Sequence, residues 1–175
     1  MRKYKTIVID PPWQVKSGPR SFHNKGQISR PLSYATMSLE KISNLPIWKF
    51  AEKDGNIFLW TINKYIEQSY SVVRAFGFKP STMLVWCKKP KGRGMGGTFG
   101  ISTEYILFGT RGTPKNNRTV STWFEAKRGI HSQKPQLFYD LVEDVCDGLY
   151  LDVFARNRRN GWDVWGNEVE SDISL

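Results

Sequence analysis

Short apolar runs and longer amphipathic segments alternate along the chain, and this alternation predicts the order of strands and helices. β-branched and aromatic residues concentrate in six runs, which predict strands near residues 6–9, 56–60, 82–86, 105–108, 149–154 and 163–165. Apolar positions recur at helical spacing near residues 39–45, 64–76 and 135–146, the last with Pro135 in its first turn. Alternating strands and helices favour an α/β fold with a mostly parallel central sheet and helices on both faces.

Length and composition predict one domain with a basic surface. A chain of 175 residues with 39% hydrophobic residues can bury one core, so residues 1–175 are expected to form a single domain. The 26 Lys and Arg residues outnumber the 16 Asp and Glu residues and give a net charge of +10. This excess favours a polyanionic partner, with nucleic acid ahead of an anionic membrane because no amphipathic basic helix is evident. A basic surface that serves only solubility is the alternative.

Cysteine and histidine usage narrows the chemistry. Cys87 and Cys146 lie far apart without CxxC spacing, which indicates neither a disulfide framework nor a zinc ribbon. His23 and His131 cannot form a metal site alone, so metal-free chemistry is expected. No apolar run reaches the length of a signal-peptide core or a membrane span, so a cytoplasmic location without membrane contact is expected.

The first predicted strand is followed by the sequence DPPW at residues 10–13. In a parallel α/β sheet, ligands bind beyond the carboxyl ends of the strands, which is where Asp10 falls. Pro11 and Pro12 end the strand, lack backbone N–H groups and leave carbonyl acceptors with little competing donor chemistry, while Trp13 adds an aromatic face. These groups suit a planar ligand with an amino substituent, such as a nucleobase. A turn in which Trp13 only caps the core is the alternative.

Two polar stretches, residues 14–33 and 88–100, are longer than ordinary connections and are expected to be substrate-binding loops, with disorder as the alternative. The second stretch carries four candidates for phosphate contacts, and such contacts would make binding strongly dependent on salt. These candidates are Lys88, Lys89, Lys91 and Arg93.

DPPW after an apolar strand resembles the amino-methylating motif of S-adenosylmethionine-dependent methyltransferases. The tryptophan variant resembles the family named after the seventy-kilodalton catalytic subunit of the mRNA N6-adenosine methyltransferase, with its bacterial and phage relatives. Further stretches match in the family's order: YATM at 34–37, FLW at 58–60, VWCK at 85–88, STEYILFGTRG at 102–112, HSQKP at 131–135 and LDVFARNRRNGWDVWGNE at 151–168. The resemblance implies a single-domain, Rossmann-like methyltransferase fold with a permuted order, in which the catalytic motif precedes the cofactor-binding strand.

The resemblance also implies S-adenosylmethionine as cofactor, held mainly by the C-terminal third. Lys134 would meet the methionine carboxylate of this donor. Arg156, with Arg159 or Asn160, would contact its ribose, and the pair at residues 167–168 would flank its adenine or ribose. The implied cofactor-binding residues are Asp10, Lys134, Asp152, Phe154, Arg156, Arg159, Asn160, Asn167 and Glu168.

The reaction implied by the resemblance is methyl transfer to the N6 amine of adenine. The Asp10 carboxylate and the Pro11 carbonyl would accept the two amine hydrogens and so favour a tetrahedral, nucleophilic nitrogen. Trp13 would stack on the base, which must leave a duplex if the substrate is double stranded. Asp10, Pro11, Pro12 and Trp13 are therefore the expected catalytic residues, and Tyr34 in the YATM stretch is a further candidate for substrate binding.

The substrate polymer and some related reactions stay open at this point. DNA is expected, because the compact chain resembles bacterial and phage members that act in the cytoplasm of a bacterium or an infected cell; RNA adenosine is the alternative. Cytosine-amine or protein-glutamine methylation, an oligomer or partner subunit, and a non-catalytic nucleic-acid-binding subunit also remain. The complete DPPW motif favours an active enzyme. Cytosine-carbon methylation needs a nucleophilic cysteine, a role that neither Cys87 nor Cys146 suits.

Overall fold

The computed structural model describes residues 2–15, 35–89, 98–129 and 133–175. The strands are β1 (Tyr4–Ile9), β2 (Ala51–Thr61), β3 (Lys79–Lys89), β4 (Thr103–Arg111), β5 (Trp123–Lys127), β6 (Tyr150–Val153) and β7 (Trp162–Trp165). The helices are α1 (Leu39–Ser43), α2 (Ile66–Ala75) and α3 (Gln136–Val145), with short 3-10 turns at Ile47–Lys49 and Asn63–Tyr65. No helix in these ranges is both long and apolar enough to cross a membrane.

The seven strands form one sheet in the order β5-β3-β4-β2-β1-β6-β7. Strand β4 is antiparallel to both of its neighbours, and every other pair of neighbours is parallel. The prediction of a mostly parallel α/β sheet is therefore confirmed. The first strand lies in the middle of the sheet beside β6, so the strand order reverses between β1 and β6, and in open α/β sheets such a point forms a ligand crevice. The permuted order of a Rossmann-like methyltransferase predicts this arrangement.

Alternate side chains of the central strands pack on opposite faces of the sheet, as the pleat of a strand requires. Ile7 belongs to one apolar cluster, which contains Ile42 of α1 and Val72 of α2. Val8 belongs to a second cluster, which contains Phe138 of α3. Helices therefore cover both faces of the sheet, as predicted, and the middle strands are buried on both sides.

Three local features differ from the sequence prediction. Strand β5 (Trp123–Lys127) was not predicted, because it is a short edge strand flanked by polar residues. Helix α3 begins at Gln136, and Pro135 precedes it in an extended conformation instead of standing in its first turn. The strand predicted for residues 149–154 ends at Val153, because Phe154 adopts a φ of 68°, which no strand residue has.

Candidate active site

Asp10 stands directly after β1, at the point where the strand order reverses. Its backbone N–H donates to the carbonyl of Val153 at 3.2 Å, which keeps it level with the end of β6. The carboxyl ends of the first strand and of the predicted cofactor strand therefore meet at Asp10. This is the position that the sequence predicts for it.

The proline carbonyls are less free than the sequence predicts. The Pro11 carbonyl accepts the backbone N–H of Trp13 at 2.8 Å, and the Pro12 carbonyl accepts that of Met37 at 2.9 Å. The expectation of little competing donor chemistry is therefore wrong, because the chain turns back at once and brings two backbone donors to these carbonyls. Each carbonyl oxygen keeps a second lone pair for a ligand.

Trp13 is mostly a structural anchor of this turn. Its side chain is only 5% exposed, and its indole N–H donates to the Trp60 carbonyl at 2.9 Å. Its ring stacks on Tyr65 with 5.0 Å between the centroids, and the Tyr65 hydroxyl donates to the Gln14 carbonyl at 2.6 Å. Since Tyr65 already occupies one side of the ring, only the part of Trp13 that lines a cavity is left for a base.

Four charged side chains of alternating sign form what we call the central charge chain: Asp10, Lys134, Glu104 and Lys88. The Lys134 ammonium lies 3.0 Å from Asp10 Oδ2 and 3.1 Å from Glu104 Oε2. Glu104 Oε1 in turn lies 2.6 Å from the Lys88 ammonium. The four side chains are only 11–26% exposed, and Lys134 also lies 4.6 Å from the centroid of the Trp60 ring. Each buried charge thus has a partner of opposite sign.

Burial and pairing set the protonation of this chain. Burial raises the pKa of the Asp10 carboxyl above its usual value, and the Lys134 ammonium offsets part of that rise. Burial also pushes the pKa of Glu104 upward, but Lys134 and Lys88 outweigh it and hold this pKa below its usual value. Burial lowers the pKa of Lys134 less than the two carboxylates raise it. Lys134 therefore keeps its charge, and Asp10 is a stronger base than an ordinary aspartate.

A cavity of about 630 Å³ opens beside Asp10 and reaches from β5 to the turn after β6. Its size is within the range of small-molecule sites. Of the predicted cofactor-binding residues, its lining contains Asp10, Lys134, Asp152, Phe154, Arg156 and Arg159. Six of the nine predicted cofactor-binding residues thus line this cavity, which we call the larger cavity.

Asp152 is a buried carboxyl in the wall of the larger cavity. Its Oδ2 accepts the hydroxyl of Tyr139 at 2.9 Å. Burial raises the pKa of Asp152 to about 7, although the hydrogen bond from Tyr139 works in the opposite direction. Burial and the nearby Asp152 raise the pKa of Tyr139 well above its usual value, so Tyr139 remains a donor. The pair presents acceptor oxygen to the cavity.

The turn after β6 separates the larger cavity from a second one. The ring of Phe154 packs edge-on against Trp165 at 5.1 Å, and the Ala155 N–H donates to the Trp165 carbonyl at 2.9 Å. A Cβ atom at Gly166 would lie 2.2 Å from the Ala155 carbonyl oxygen, so only glycine fits there. Phe154 itself has a φ of 68°, a value that is uncommon outside glycine and that clusters at functional sites.

The second cavity, which we call the smaller cavity, has a volume of about 380 Å³. Pro11, Pro12, Trp13 and Glu104 contribute to its lining. Among the residues that the structure describes, five line both cavities: Asp10, Lys134, Phe154, Ala155 and Arg156. The two cavities therefore share a wall, and Asp10 with Lys134 stands in that wall.

Asn167 and Glu168, predicted as cofactor contacts, line the smaller cavity, and the lining of the larger one as described does not include them. Glu168 Oε1 lies 3.5 Å from Arg156, which lines both cavities. Arg159 lines the larger cavity but points its guanidinium at Asp140 and Glu143, at 2.8 and 2.7 Å. Asn160 is exposed and is absent from the described lining of either cavity. The roles of these residues stay predictions.

The predicted substrate-binding residues are scattered. Lys88 turns inward to Glu104, and Lys89 forms an ion pair with Glu125. Neither lysine is among the described lining residues of the two cavities. Three further candidates and most of the two predicted substrate loops lie outside the described residues. These three are Tyr34, Lys91 and Arg93.

Sequence reasoning missed Glu104 and Tyr139. Glu104 is the one acidic residue in the predicted strand stretch STEYILF, and a charge inside a strand of this kind is a signal that it meets a partner. Tyr139 falls on an apolar position of the predicted helix, where a tyrosine reads as core. Nothing in the sequence indicates that the hydroxyl of Tyr139 donates to Asp152, 13 residues later.

The described residues also bear on metal ligands and on reactive cysteines. Within residues 2–15, 35–89, 98–129 and 133–175, no group of three His, Cys, Asp or Glu side chains is placed to hold a metal ion. Cys146 is fully buried, and burial raises the pKa of its thiol to about 12. This thiol stays protonated at neutral pH and is not a nucleophile.

The chain is similar to one family of known proteins. It matches the family model MT-A70 over residues 4–168. Type II methyltransferase M.MunI of a Mycoplasma species is 30% identical to it over 186 residues, covering 96% of this chain and 78% of that protein. The human proteins N(6)-adenine-specific methyltransferase METTL4 and N(6)-adenosine-methyltransferase catalytic subunit METTL3 are 29% and 23% identical. Both alignments cover 96% of this chain, but it spans only 38% and 28% of those two proteins.

Proposed function

The chain belongs to the MT-A70 family of methyltransferases, and from this we propose that it transfers a methyl group from S-adenosylmethionine to the exocyclic N6 amine of adenine in DNA. The observation that carries the proposal is the wall shared by the two cavities, with Asp10 and Lys134 in it. Methyl transfer needs a donor and an acceptor held in line at one point. Two adjoining cavities with a common carboxylate meet that requirement.

The larger cavity has the chemistry that S-adenosylmethionine requires, and we assign it to this donor. Its volume of about 630 Å³ suits a ligand of that size. Asp152 and Asp10 offer acceptors for hydroxyl and ammonium groups, and Lys134 and Arg156 offer cations for a carboxylate. When bound, S-adenosylmethionine supplies an electrophilic methyl group, whose bond to sulfur breaks with both electrons left on sulfur as the new bond to nitrogen forms.

The smaller cavity is assigned to the adenine. Asp10 accepts a hydrogen bond from the N6 amine, which localises the nitrogen lone pair and directs it toward the shared wall. The raised pKa of Asp10 lets this carboxylate take up the proton that the amine releases after transfer. Lys134 holds Asp10 in place at 3.0 Å, and Glu104 holds Lys134 from the other side. The second lone pair of the Pro11 carbonyl is available to the other amine hydrogen.

DNA is the proposed polymer, and RNA adenosine is the second candidate. The net charge of +10 suits either polyanion. Among the three relatives named above, the chain covers the largest share of M.MunI. The name of METTL4 refers to adenine. METTL3 is named for adenosine and as a catalytic subunit, which connects the RNA alternative with a partner subunit.

A label-transfer experiment decides between the polymers. The purified chain is incubated with methyl-labelled S-adenosylmethionine and with duplex DNA, single-stranded DNA or RNA of equal sequence. Polymers of the same length without adenine serve as controls. Label in adenine-containing DNA supports the proposal, label in RNA alone supports the second candidate, and label only in a protein substrate overturns both.

A further inference from the structure

On the basis of the proposed function, we propose that Lys127 and Arg128 bind the phosphodiester backbone of the nucleic-acid substrate at the rim of the larger cavity. Lys127 is the last residue of β5, and Arg128 follows it. Both side chains are exposed, and both line the larger cavity. We call them the β5 cation pair.

The β5 cation pair differs from the other cations around this cavity, because it lacks acidic partners. Six basic residues of the described ranges line the cavity, and four of them form ion pairs with carboxylates. Those four are Lys134, Arg156, Arg158 and Arg159. In the described part of the chain no carboxylate lies within ion-pair distance of Lys127 or Arg128, and the other segments, residues 16–34, 90–97 and 130–132, contain no Asp or Glu. An external anion is therefore the available partner.

The position of Lys127 on the sheet gives a second reason to expect an external anion as its partner. Lys127 stands in register with Lys89 of β3, and neighbouring strands lie only about 4.8 Å apart. The nearby carboxylate of Glu125 forms an ion pair with Lys89. The residue in register with Lys127 is therefore another lysine, and the acidic side chain nearest to it along β5 is already paired with that lysine, so neither neutralises Lys127.

The anion is more consistent with a nucleic-acid backbone than with the donor. The donor carboxylate is assigned to Lys134 and Arg156 deeper in the cavity, whereas the β5 cation pair is exposed at the end of an edge strand. Adjacent cations in solvent suit a chain of repeated phosphates, which Lys and Arg bind by charge and by hydrogen bonds regardless of the base sequence. The sequence assigned this role to Lys88 and Lys89, but both are neutralised within the chain.

The test measures how the affinity for a fluorescein-labelled duplex oligonucleotide falls with salt, by anisotropy, in the full chain. Lys127→Ala/Arg128→Ala should reduce the slope of log K against log salt by about 1.8, and weaken binding about tenfold or more at 0.15 M salt. Arg74→Ala/Lys79→Ala is the matched control. It removes one Arg and one Lys that are exposed and form no ion pair with a carboxylate in the described residues. Lys79 begins β3, and Lys127 is in register with Lys89 at the other end of that strand. Lys79 therefore lies roughly 30 Å from Lys127.

Charge and fold are separated by two further measurements. Lys127→Arg/Arg128→Lys keeps both charges and should keep the wild-type slope. Binding of S-adenosylhomocysteine, measured by calorimetry, should be unchanged in all three variants. A slope within 0.3 of wild type in Lys127→Ala/Arg128→Ala, or loss of S-adenosylhomocysteine binding in that variant alone, would overturn the inference.

The outcome is distinguishable from that of the proposed function. If the slope falls as expected but the wild-type chain methylates no nucleic acid, the inference stands and the proposed function fails. If the wild-type chain methylates DNA and the slope does not change, the proposed function stands and the inference fails. If the wild-type chain binds no oligonucleotide, both fail.

Discussion

Two networks of charged side chains show how differently the same residue types behave in this molecule. The central charge chain (Asp10, Lys134, Glu104 and Lys88) lies at the carboxyl ends of the strands, with side chains only 11–26% exposed. A second network, which we call the edge network, consists of Arg2, Tyr4, Asp163, Arg158 and Asp172. Its ion pairs are as short, at 2.8 and 2.7 Å, but its arginines are 56% and 52% exposed. Distance therefore does not distinguish the two networks, whereas the exposure of their cations does: Lys134 and Lys88 are 11% and 14% exposed.

Burial makes the two networks different in cost and in consequence. Removing charges from water costs several kcal/mol per ion. This cost offsets most of the attraction between the charges, so the central charge chain contributes little net stability. It retains, however, a carboxylate with a raised pKa at the border of two cavities. The edge network joins the start of the chain to β7, where Arg2 and Tyr4 both contact Asp163. We infer that the first network serves chemistry and the second only holds the chain ends.

The largest expected effect comes from Asp10→Asn, which removes the base of the central charge chain and keeps its shape. Methyl transfer should fall by about a thousandfold, since general-base contributions are roughly 100- to 10,000-fold. Binding of S-adenosylhomocysteine should stay within a few-fold of wild type. Single-turnover rates and calorimetry measure the two quantities. Asp163→Asn in the edge network is the matched control and should keep the wild-type rate; a rate for Asp10→Asn within tenfold of wild type would remove Asp10 from the mechanism.

The next effect is on stability. Lys134→Met leaves Asp10 and Glu104 buried without their shared cation, which should cost about 3 kcal/mol of unfolding free energy at pH 8. Without the ammonium the pKa of Asp10 rises further and that of Glu104 rises from its lowered value, so protonation at pH 5 should restore much of the loss. Denaturant unfolding at both pH values measures this. Lys5→Met is the control, because Lys5 is 52% exposed and lies 3.8 Å from Asp147. Equal losses in the two variants would contradict the distinction by burial.

A third variant tests a buried carboxyl outside both networks. The pKa of Asp152 is about 7 in the folded protein and 3.8 as an ordinary aspartate, so the folded state binds the extra proton between these values. The proton that Asp152 holds in the folded state therefore stabilises the fold most at low pH, and this stabilisation declines as the pH rises to 7. Asp152→Asn should be more stable than wild type at pH 8, by on the order of 1–3 kcal/mol, with a smaller difference at pH 5. Unfolding curves that show a constant or opposite difference would contradict the assigned burial.

The smallest effect should come from the edge network. Arg2→Ala removes a pair of hydrogen bonds to Asp163 at 2.8 and 3.2 Å, but Arg2 is 56% exposed. Exposed ion pairs contribute about 0–1 kcal/mol, and salt screens them. The melting temperature should fall by no more than about 4 °C, and by less in 1 M NaCl. A loss as large as that of Lys134→Met would show that the edge network is a main source of stability.

The regular part of the fold follows from the sequence because its signals are local. Residues 56–60 form an apolar run that is buried on both faces, and they lie in the C-terminal half of β2 (Ala51–Thr61). The helix predicted for residues 135–146 has strong apolar spacing and became α3 (Gln136–Val145). Strand β5 (Trp123–Lys127) has no comparable signal, since an edge strand of five residues is specified by its pairing with β3.

The candidate site was predicted where one motif determines it, and missed where distant segments meet. Asp10 could be placed because a strand end locates it. The environment of Asp10 could not be predicted, since Glu104 reaches it only through Lys134, 30 residues further along the chain. The burial of Trp13 likewise depends on Tyr65 of a separate turn. Tertiary contacts of this kind leave no local pattern in the sequence.

The atom that receives the methyl group is the most direct test of the central claim, that donor and adenine amine meet at Asp10. The wild-type chain is incubated with duplex DNA and trideuteromethyl-labelled S-adenosylmethionine, the DNA is digested to nucleosides, and these are separated and identified by mass spectrometry. We expect the label in N6-methyl-2′-deoxyadenosine and its loss in the Asp10→Asn variant. Label in N4-methyl-2′-deoxycytidine, or equal labelling of adenine by the two proteins, would contradict the claim.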